Sequence, residues 1–461
     1  MKSVNLVISL PLEAFRHGVL ILGAPGTGKS VLLKALRASI ATEMSLSSDG
    51  IVVCDFDTKQ DLYDIARLFP SNVPFYNLDP FVDGNPWNLA GEIDSPLAIK
   101  ELANALIPNA NQNQPYFSEM ARYSWSQNLL GLWLRVKEKL TFRDMVLAGM
   151  SPNNIRKVAR SSSLSESIVP LFQDTESGLS LAATSVHAMS RFAEAAALYS
   201  TSKGAPVTTR SILSRTRAVV RLPFNLKAAY TLGPLAALFA MMLQLRAMIE
   251  SVKGRIIIFI WDELSLIPGG LDLTLSSIFG REAGVVNTLA FQSQATTAEK
   301  FGKDKLEALI SLPKTIIALQ QPHYKDAEDT ARRFGNYQGF VKTWSHTYSK
   351  ENSSTLGESF QTIENVTASD IMSLPVPAPG HPYIEGFMAT IPFKPFRFKL
   401  SIPELVKTYI PKVERMAEPK ARDPMDMILR PWDDADLDRL GLREYSGDAE
   451  VIAPPAPRRG R

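Results

Sequence analysis

Two short segments of the sequence combine a strongly apolar run with residue types suited to phosphate chemistry. Gly23–Ser30 reads Gly-Ala-Pro-Gly-Thr-Gly-Lys-Ser and follows the apolar run His17–Leu22. It fits the pattern G-x-x-x-x-G-K-[ST] between a strand and a helix. About 230 positions further on, the apolar run Ile256–Trp261 ends in Asp262-Glu263. Together the segments predict one site for ATP hydrolysis, with ATP and Mg²⁺ as its cofactors.

The glycines of the first segment let the backbone turn its N–H groups toward phosphate oxygens. A helix predicted over Lys29–Ile40 would direct its positive N-terminal end at the same anion. Lys29 should reach the β- and γ-phosphates, and Ser30 should bind Mg²⁺. The alternative is a glycine-rich turn between a strand and a helix that binds no nucleotide. The predicted nucleotide-binding residues are Gly23, Gly26, Thr27, Gly28, Lys29 and Ser30.

The carboxylates of the second segment follow a run that is apolar on both faces, as in a central parallel strand. Ligands bind at the carboxyl ends of such strands. Asp262 is therefore the predicted Mg²⁺ carboxylate, and Glu263 the general base that activates the attacking water. On its own, an Asp-Glu pair after a strand often only caps a helix.

Composition sets outer bounds on the function. The 461 residues are 45% hydrophobic and 21% charged, enough for a sizeable core and two folding units. The net charge of +3 does not by itself indicate nucleic acid binding. The single cysteine, Cys54, excludes a disulfide framework, suits a reducing cytosol, and lies in an apolar run that predicts a buried thiol.

One apolar segment, residues 228–245, approaches the length of a membrane span. Gly233-Pro234 is expected to break it, with Pro234 in the first turn of a helix. The remaining run is too short to cross a bilayer, so a buried helix is predicted. No signal peptide is expected at the N-terminus, and the predicted location is the cytoplasm.

Hydrophobic periodicity predicts an α/β fold interrupted by helices. The predicted strands are Gly18–Leu22, Gly50–Asp55, Phe75–Asp79, Arg217–Pro223, Ile256–Trp261, Asn287–Gln292 and Thr315–Gln320. Residues 96–205 have helical periodicity and are predicted to form an all-α insertion between two parts of the α/β domain, 1–95 and 206–410. Residues 411–461 are rich in Pro, Asp and Arg and predict a flexible, disordered C-terminal tail, with a partner-docking peptide as the alternative.

Six segments together resemble the type IV secretion and conjugation coupling ATPases of the HerA/FtsK-type DNA-translocase superfamily. They are His17–Ser30, Val53–Asp61, Phe259–Leu264, Gly280–Gly284, Leu289–Ser293 and Asp329–Gly335. The resemblance covers residues 15–95 and 210–400. It implies a RecA-like P-loop NTPase core with a mainly parallel sheet and an all-α domain inserted where that family carries its own.

The resemblance also implies roles for two further residues. Arg281, after a helix predicted over Asp272–Phe279, would be an arginine finger that enters the neighbouring subunit's site. A finger in trans requires a ring, and the family implies six subunits. Gln292 would contact the attacking water or the γ-phosphate. Without the resemblance, Arg281 reads as a solvated helix-end charge and Gln292 as a strand-end amide.

The implied partner is DNA, bound without sequence preference, with a relaxase or secretion-channel proteins as further partners. In the insertion, cations that can hold phosphates alternate with aromatic rings that can stack on bases. They are Arg122, Lys137, Lys139, Arg143, Arg156, Lys157, Arg160, Tyr116, Phe117, Tyr123, Trp125 and Trp133. For any one of them, core packing or a solvated face is the simpler explanation.

The sequence departs from the family in one respect. Most coupling proteins begin with a membrane-spanning region, and none is expected here before Gly23. The expectation is a cytoplasmic motor, recruited to the inner membrane by a partner or working as a HerA-like DNA-processing motor. Transport of protein cargo is an alternative, and a nucleotide-gated adaptor is another, although Asp262-Glu263 argues against the adaptor.

Overall fold

A computed structural model describes residues 15–46, 49–107, 115–173, 175–250, 252, 254–267, 278–347, 353–390, 393–410 and 412–446. The chain divides into two compact units. The first comprises Met1–Tyr76, Leu213–Leu226 and Ala240–Glu418, and the second comprises Asn77–Ile212, Lys227–Phe239 and Pro419–Arg461. The predicted insertion, residues 96–205, falls within the second unit, which also contains two later parts of the chain.

Nine strands of the described residues form one sheet in the order β11-β10-β7-β1-β6-β5-β2-β4-β3. The strands are β1 Val19–Leu22, β2 Ile51–Asp57, β3 Phe75–Asn77, β4 Arg217–Pro223, β5 Ile256–Trp261, β6 Val285–Phe291, β7 Thr315–Ala318, β10 Tyr383–Thr390 and β11 Phe393–Ser401. From β7 to β4 all neighbours are parallel, whereas β10 and β11 pair antiparallel at one edge. The mainly parallel α/β fold is thus confirmed.

The central strands are buried on both faces. Every residue of β1, β2, β5 and β6 is buried, and Cys54 lies among them at 1% exposure. Burial raises the pKa of the Cys54 thiol well above its usual value, with a smaller contribution from Asp55. This is the burial that continuous apolar runs predict for strands covered by helices. The seven predicted strands all occur, with ends that differ by a few residues.

Four strands were missed by the sequence analysis. Besides β10 and β11, an antiparallel hairpin joins β8, Asn336–Thr347, to β9, Ser353–Glu364. Most side chains described in this hairpin are exposed on both faces, including Tyr337, Phe340 and Phe360. A strand without a buried face has no alternation of apolar and polar residues that would reveal it.

Helices cover the strands and form the second unit. In chain order they are α1 Lys29–Leu46, α2 Asp61–Ile65, α3 Pro96–Leu106, α4 Pro115–Val136, α5 Phe142–Leu147, α6 Pro152–Arg160, α7 Glu176–Ser190, α8 Ala193–Ser200, α9 Thr209–Leu213, α10 Ala229–Ile249, α11 Gln294–Phe301, α12 Lys303–Ser311, α13 Tyr324–Arg332, α14 Ala368–Met372, α15 Ile402–Tyr409 and α16 Asp434–Leu440. The predicted helix Asp272–Phe279 lies almost entirely outside the described residues.

Helix α10 corrects the prediction of a break at Gly233-Pro234, because Pro234 lies inside the helix. Pro234 is the sixth residue of the helix, so it removes one intrahelical hydrogen bond without ending the helix, which begins earlier than predicted. By length and composition, Leu226–Ile249 is the one described segment that could cross a membrane, and 72% of its apolar window is buried within the protein. That burial agrees with the prediction of a packed helix.

The second unit is built from α3–α9, short helical turns and a C-terminal segment. Trp125 of α4 is buried and its indole N–H donates to Met145 O at 3.1 Å, so this ring belongs to the helical core. Tyr116 and Tyr123 of the same helix are exposed. The predicted set of DNA-facing aromatics therefore divides into packed and exposed members.

The C-terminal segment differs from the prediction of a disordered tail over its described part. Residues 419–446 contain α16, whose Leu440 is fully buried. Arg439 donates hydrogen bonds to both oxygens of Asp144, at 2.8 and 2.9 Å, and Trp432 Nε1 donates to Asp144 at 2.9 Å. A few buried contacts onto an existing helical unit compensate for a composition that could not form a core alone. Residues after 446 lie outside the described residues.

Candidate active site

The register of four parallel strands brings four loops to one edge of the sheet. Leu22 at the end of β1 pairs with Phe291 at the end of β6. Trp261 at the end of β5 lies beside Leu289 of β6 and Phe56 of β2. The segments that follow β1, β2, β5 and β6 therefore emerge side by side, at the edge where open α/β sheets bind ligands.

The loop after β1 has the geometry of an anion cradle. Thr27 Oγ1 donates to Ala24 O at 2.8 Å, and Ala24 N donates to Gln320 O at 2.8 Å, which ties the loop to the end of β7. Gly28 has a φ of 101°, and a Cβ at this position would lie 2.7 Å from the Ile384 side chain. Only glycine fits there, and α1 begins at the next residue with its N–H groups facing the loop.

Lys29 is folded onto the loop and lies close to the carboxylate pair. Its ammonium donates to the carbonyl oxygens of Gly23 and, at 3.0 Å, of Ala24. Burial lowers its pKa to about 8, an effect that Glu263 and Asp262 oppose through their negative charges. The lysine of the first motif and the carboxylates of the second therefore share one electrostatic environment, as a single site requires.

Asp262 and Glu263 are both held at the sheet edge. Asp262 is 2% exposed, and its Oδ2 accepts a hydrogen bond from Thr58 Oγ1 at 3.2 Å. Its Oδ1 is buried and has no hydrogen-bond partner among the described residues. Glu263 is 9% exposed and accepts from Ser265 Oγ at 2.5 Å. Buried carboxylates are costly unless they are paired or coordinate a cation.

These residues fit a magnesium ion. Mg²⁺ in triphosphate sites is bound by one or two protein oxygens together with phosphates and waters. Asp262 has a buried oxygen without a partner, and Ser30 Oγ is near the same place, since Lys59 Nζ lies 2.5 Å from Ser30 Oγ and 4.0 Å from Asp262 Oδ2. A cationic group is thus accommodated between the two predicted ligands.

Thr58 and Lys59 contact the predicted metal ligands and were not identified by the sequence analysis. They lie in the segment Val53–Asp61, which carried the family resemblance without a role. The signal available was their position, because a polar pair directly after a central parallel strand belongs to the ligand-binding edge.

A buried ion pair lies at the end of β2. Arg221 Nε of β4 donates to Asp57 Oδ2 at 2.8 Å, with both side chains at 2% exposure or less. The Arg221 guanidinium also stacks 4.5 Å from the centre of the Tyr63 ring. Such contacts hold the strand that precedes Thr58 and Lys59 in one position.

Gln292 and Arg281 lie beyond opposite ends of the same strand, β6. Gln292 follows Phe291 directly, level with Gly23, and is exposed. Arg281 precedes β6, and its carbonyl accepts from Gly284 N at 3.0 Å in a turn that needs the φ of 79° at Gly284. Val285 pairs with Ile257, five residues before Asp262, so the start of β6 lies on the order of 16 Å from the level of Asp262. Arg281 lies in the turn before that start. The exposed Arg281 is therefore remote from its own chain's site.

Comparison with known proteins gives one family and several similar structures. Residues 4–399 match the family described as the type IV secretion-system coupling protein DNA-binding domain. The structure of the bacterial conjugative coupling protein TrwBdeltaN70 in a trigonal form with sulphate has a TM-score of 0.67 and 16% identity, covering 92% of this chain and 91% of that one.

Two further structures share the fold. TrwB in complex with ADP and Mg²⁺ has a TM-score of 0.65 and 16% identity, over 92% of each chain. VirB4 of Thermoanaerobacter pseudethanolicus has a TM-score of 0.50 and 12% identity, covering 83% of this chain and 88% of that one. No curated protein sequence matched this chain.

Proposed function

Because this chain belongs to the type IV secretion-system coupling protein family, we propose that it is a coupling ATPase that hydrolyses ATP to move DNA in conjugative transfer or type IV secretion. The observation that carries the proposal is the convergence of Lys29, Ser30, Asp262 and Glu263 at one edge of a parallel sheet. Nucleotide complexes of TrwB, including one with ADP and Mg²⁺, support ATP and Mg²⁺ as the cofactors.

Binding of the nucleotide would use the loop and the start of α1. Lys29 would exchange the carbonyl oxygens of Gly23 and Ala24 for the β- and γ-phosphates, and the backbone N–H groups around Gly28 would hold the same oxygens. Ser30 and Asp262 would hold Mg²⁺, which neutralises phosphate charge when bound.

Hydrolysis would depend on Glu263 as the base. Its carboxylate follows a buried strand directly, and Ser265 holds one of its oxygens, so the other can take a proton from the attacking water. Gln292, level with Gly23, would position that water. The role of Glu263 is the one that the motif predicted, and that of Gln292 is the one that the family resemblance implied.

Arg281 would supply positive charge to the γ-phosphoryl group in a neighbouring subunit's site. Its exposure and its distance from the Asp262 level support a role in a neighbouring subunit's site. A head-to-tail interface of this kind closes into a ring, for which six subunits is the proposal. We place the motor in the cytoplasm, recruited to the inner membrane by a partner, with a relaxase or channel protein as further partners.

The central test is ATP turnover titrated with single- and double-stranded DNA, with a sizing measurement on the same samples. DNA-stimulated turnover together with a ring-sized species would support a DNA motor. Turnover that is insensitive to both DNAs would favour protein cargo instead. Lys29→Ala is the matched control, because it should abolish turnover under every condition.

A further inference from the structure

The loop after β2 carries a cation to the place where the metal would bind. Lys59 Nζ is 2.5 Å from Ser30 Oγ and 4.0 Å from Asp262 Oδ2. The Lys59 side chain is 51% exposed, whereas that of Asp262 is 1% exposed. A tethered ammonium therefore reaches from solvent to the two oxygens that the proposed function assigns to Mg²⁺.

The backbone next to Lys59 is in a conformation that needs support. Gln60, the residue before α2, has φ 60° and ψ 23°, and no side-chain hydrogen bond caps the helix there. A left-handed non-glycine residue persists where surrounding contacts hold it. Two side-chain hydrogen bonds of this loop join Thr58 to Asp262 and Lys59 to Ser30. Both connect the loop to the predicted metal ligands.

The negative charge of Asp262 explains why the Lys59 ammonium lies nearby. Asp262 is a buried carboxylate, and a buried charge requires a nearby opposite charge. Lys29 is turned toward the carbonyl oxygens of Gly23 and Ala24. Lys59 supplies a second positive charge, 4.0 Å from Asp262 Oδ2.

We propose that Lys59 is a placeholder cation, which occupies the magnesium position while no nucleotide is bound and which a divalent metal must displace. The identity of that position rests on the proposed function. Only molecules with Lys59 displaced can bind the metal. The apparent affinity for the metal is therefore the intrinsic affinity multiplied by the fraction of time that the position is free. Lys59 is thereby a positioning residue that lowers the affinity for the metal alone. The metal binds more tightly once phosphate oxygens add further ligands.

The test is the binding of Mn²⁺ alone to the nucleotide-free chain, followed by electron paramagnetic resonance. Lys59→Met removes the charge and keeps a long side chain. It should bind Mn²⁺ about tenfold more tightly than the wild type if Lys59 fills the position nine-tenths of the time. Lys59→Arg keeps a cation and should stay near the wild-type affinity. Without divalent metal, Lys59→Met should also melt at a lower temperature, with the loss reversed by Mn²⁺.

A matched control distinguishes displacement of the Lys59 ammonium from a general effect of removing one positive charge. Lys34 lies on α1 and pairs with Asp64 at 2.6 Å, so Lys34→Met should bind Mn²⁺ like the wild type. The measurement is repeated at about 0.5 M salt, where long-range charge effects are screened but displacement from a contact persists. Equal or weaker Mn²⁺ binding by Lys59→Met, or an equal gain in Lys34→Met, would overturn the inference. Because the probe is Mn²⁺ alone, a wild type without ATP turnover would overturn the proposed function and leave this comparison intact.

Discussion

Arg37 of α1 donates two hydrogen bonds to Asp55 of β2, from Nε to Oδ2 at 2.6 Å and from Nη2 to Oδ1 at 2.8 Å. Both side chains are fully buried. The pair fastens the helix that begins at Lys29 to the strand that leads to Lys59. It therefore connects two loops of the site through their supporting elements.

Breaking this pair should destabilise the first unit. Arg37→Met leaves the Asp55 carboxylate buried without its partner, which costs about 3–5 kcal/mol of unfolding free energy. Urea unfolding followed by circular dichroism measures the change. The double variant Arg37→Met/Asp55→Asn should recover part of the loss, since it also removes the uncompensated charge. A loss below about 1 kcal/mol in the single variant would contradict the structural role given to the pair.

Replacing the proposed base should stop turnover and leave nucleotide binding intact. Glu263→Gln keeps the shape of the side chain but cannot take a proton, so kcat should fall by about 10²–10⁴-fold. Steady-state ATPase assays and ADP titrations measure the two effects. Ser265→Ala removes only the hydrogen bond to Glu263 and should have a much smaller effect. Unchanged turnover in Glu263→Gln would show that another group is the base.

An arginine finger that acts between subunits makes a prediction about mixtures. Arg281→Ala alone should bind nucleotide and lose about 10³–10⁵-fold in turnover. Mixing it with Lys29→Ala subunits should restore some activity, because an intact site then meets an intact finger at some interfaces. Lys300→Ala, which removes another exposed cation of the same unit, is the control and should behave like the wild type. A mixture without rescue would point to a local role for Arg281.

The contact between Arg439 and Asp144 should anchor the C-terminal segment, residues 419–446. Arg439→Ala removes two charge-assisted hydrogen bonds to Asp144, each worth about 1.5–3 kcal/mol, and should expose residues 419–446 to proteases. Limited proteolysis with mass spectrometry locates the cleavage. Arg443→Ala removes an arginine whose partners, Asp434 and Asp438, are exposed, and it should be cut no faster than the wild type. Equal protection of Arg439→Ala would refute the anchoring role.

Acid should release the same segment. Burial alone would raise the pKa of Asp436, but hydrogen bonds from Arg439 and Arg143 hold it below its usual value. A carboxyl group with a lowered folded-state pKa stabilises the protein above its unfolded value, near 3.9, and this contribution is lost as pH falls through the folded value. Trp432 fluorescence should therefore change below about pH 4. In Asp436→Asn this component of the acid transition should be missing; an identical transition would exclude Asp436 as its source.

Much of the α/β core could be predicted because its signals are local. The strand before Gly23, the glycine turn and the helix at Lys29 are encoded within about twenty neighbouring residues, and Ile256–Trp261 is apolar enough to be recognised as a central strand. The missed hairpin differs in this respect. The exposed hairpin β8–β9 has no buried face, so no alternation of apolar side chains indicates it.

The sequence alone supplied the candidate residues for binding a triphosphate and the candidate carboxylates for acting on it, because motif spacing and strand ends are local properties. The folded chain adds three relationships: Lys59 lies next to Ser30 and Asp262, Arg281 lies beyond the opposite end of β6 from the level of Asp262, and Arg439 reaches Asp144. These contacts join residues far apart in the chain. They depend on strand order and register, which follow from the packing of the whole chain and cannot be read from any one segment.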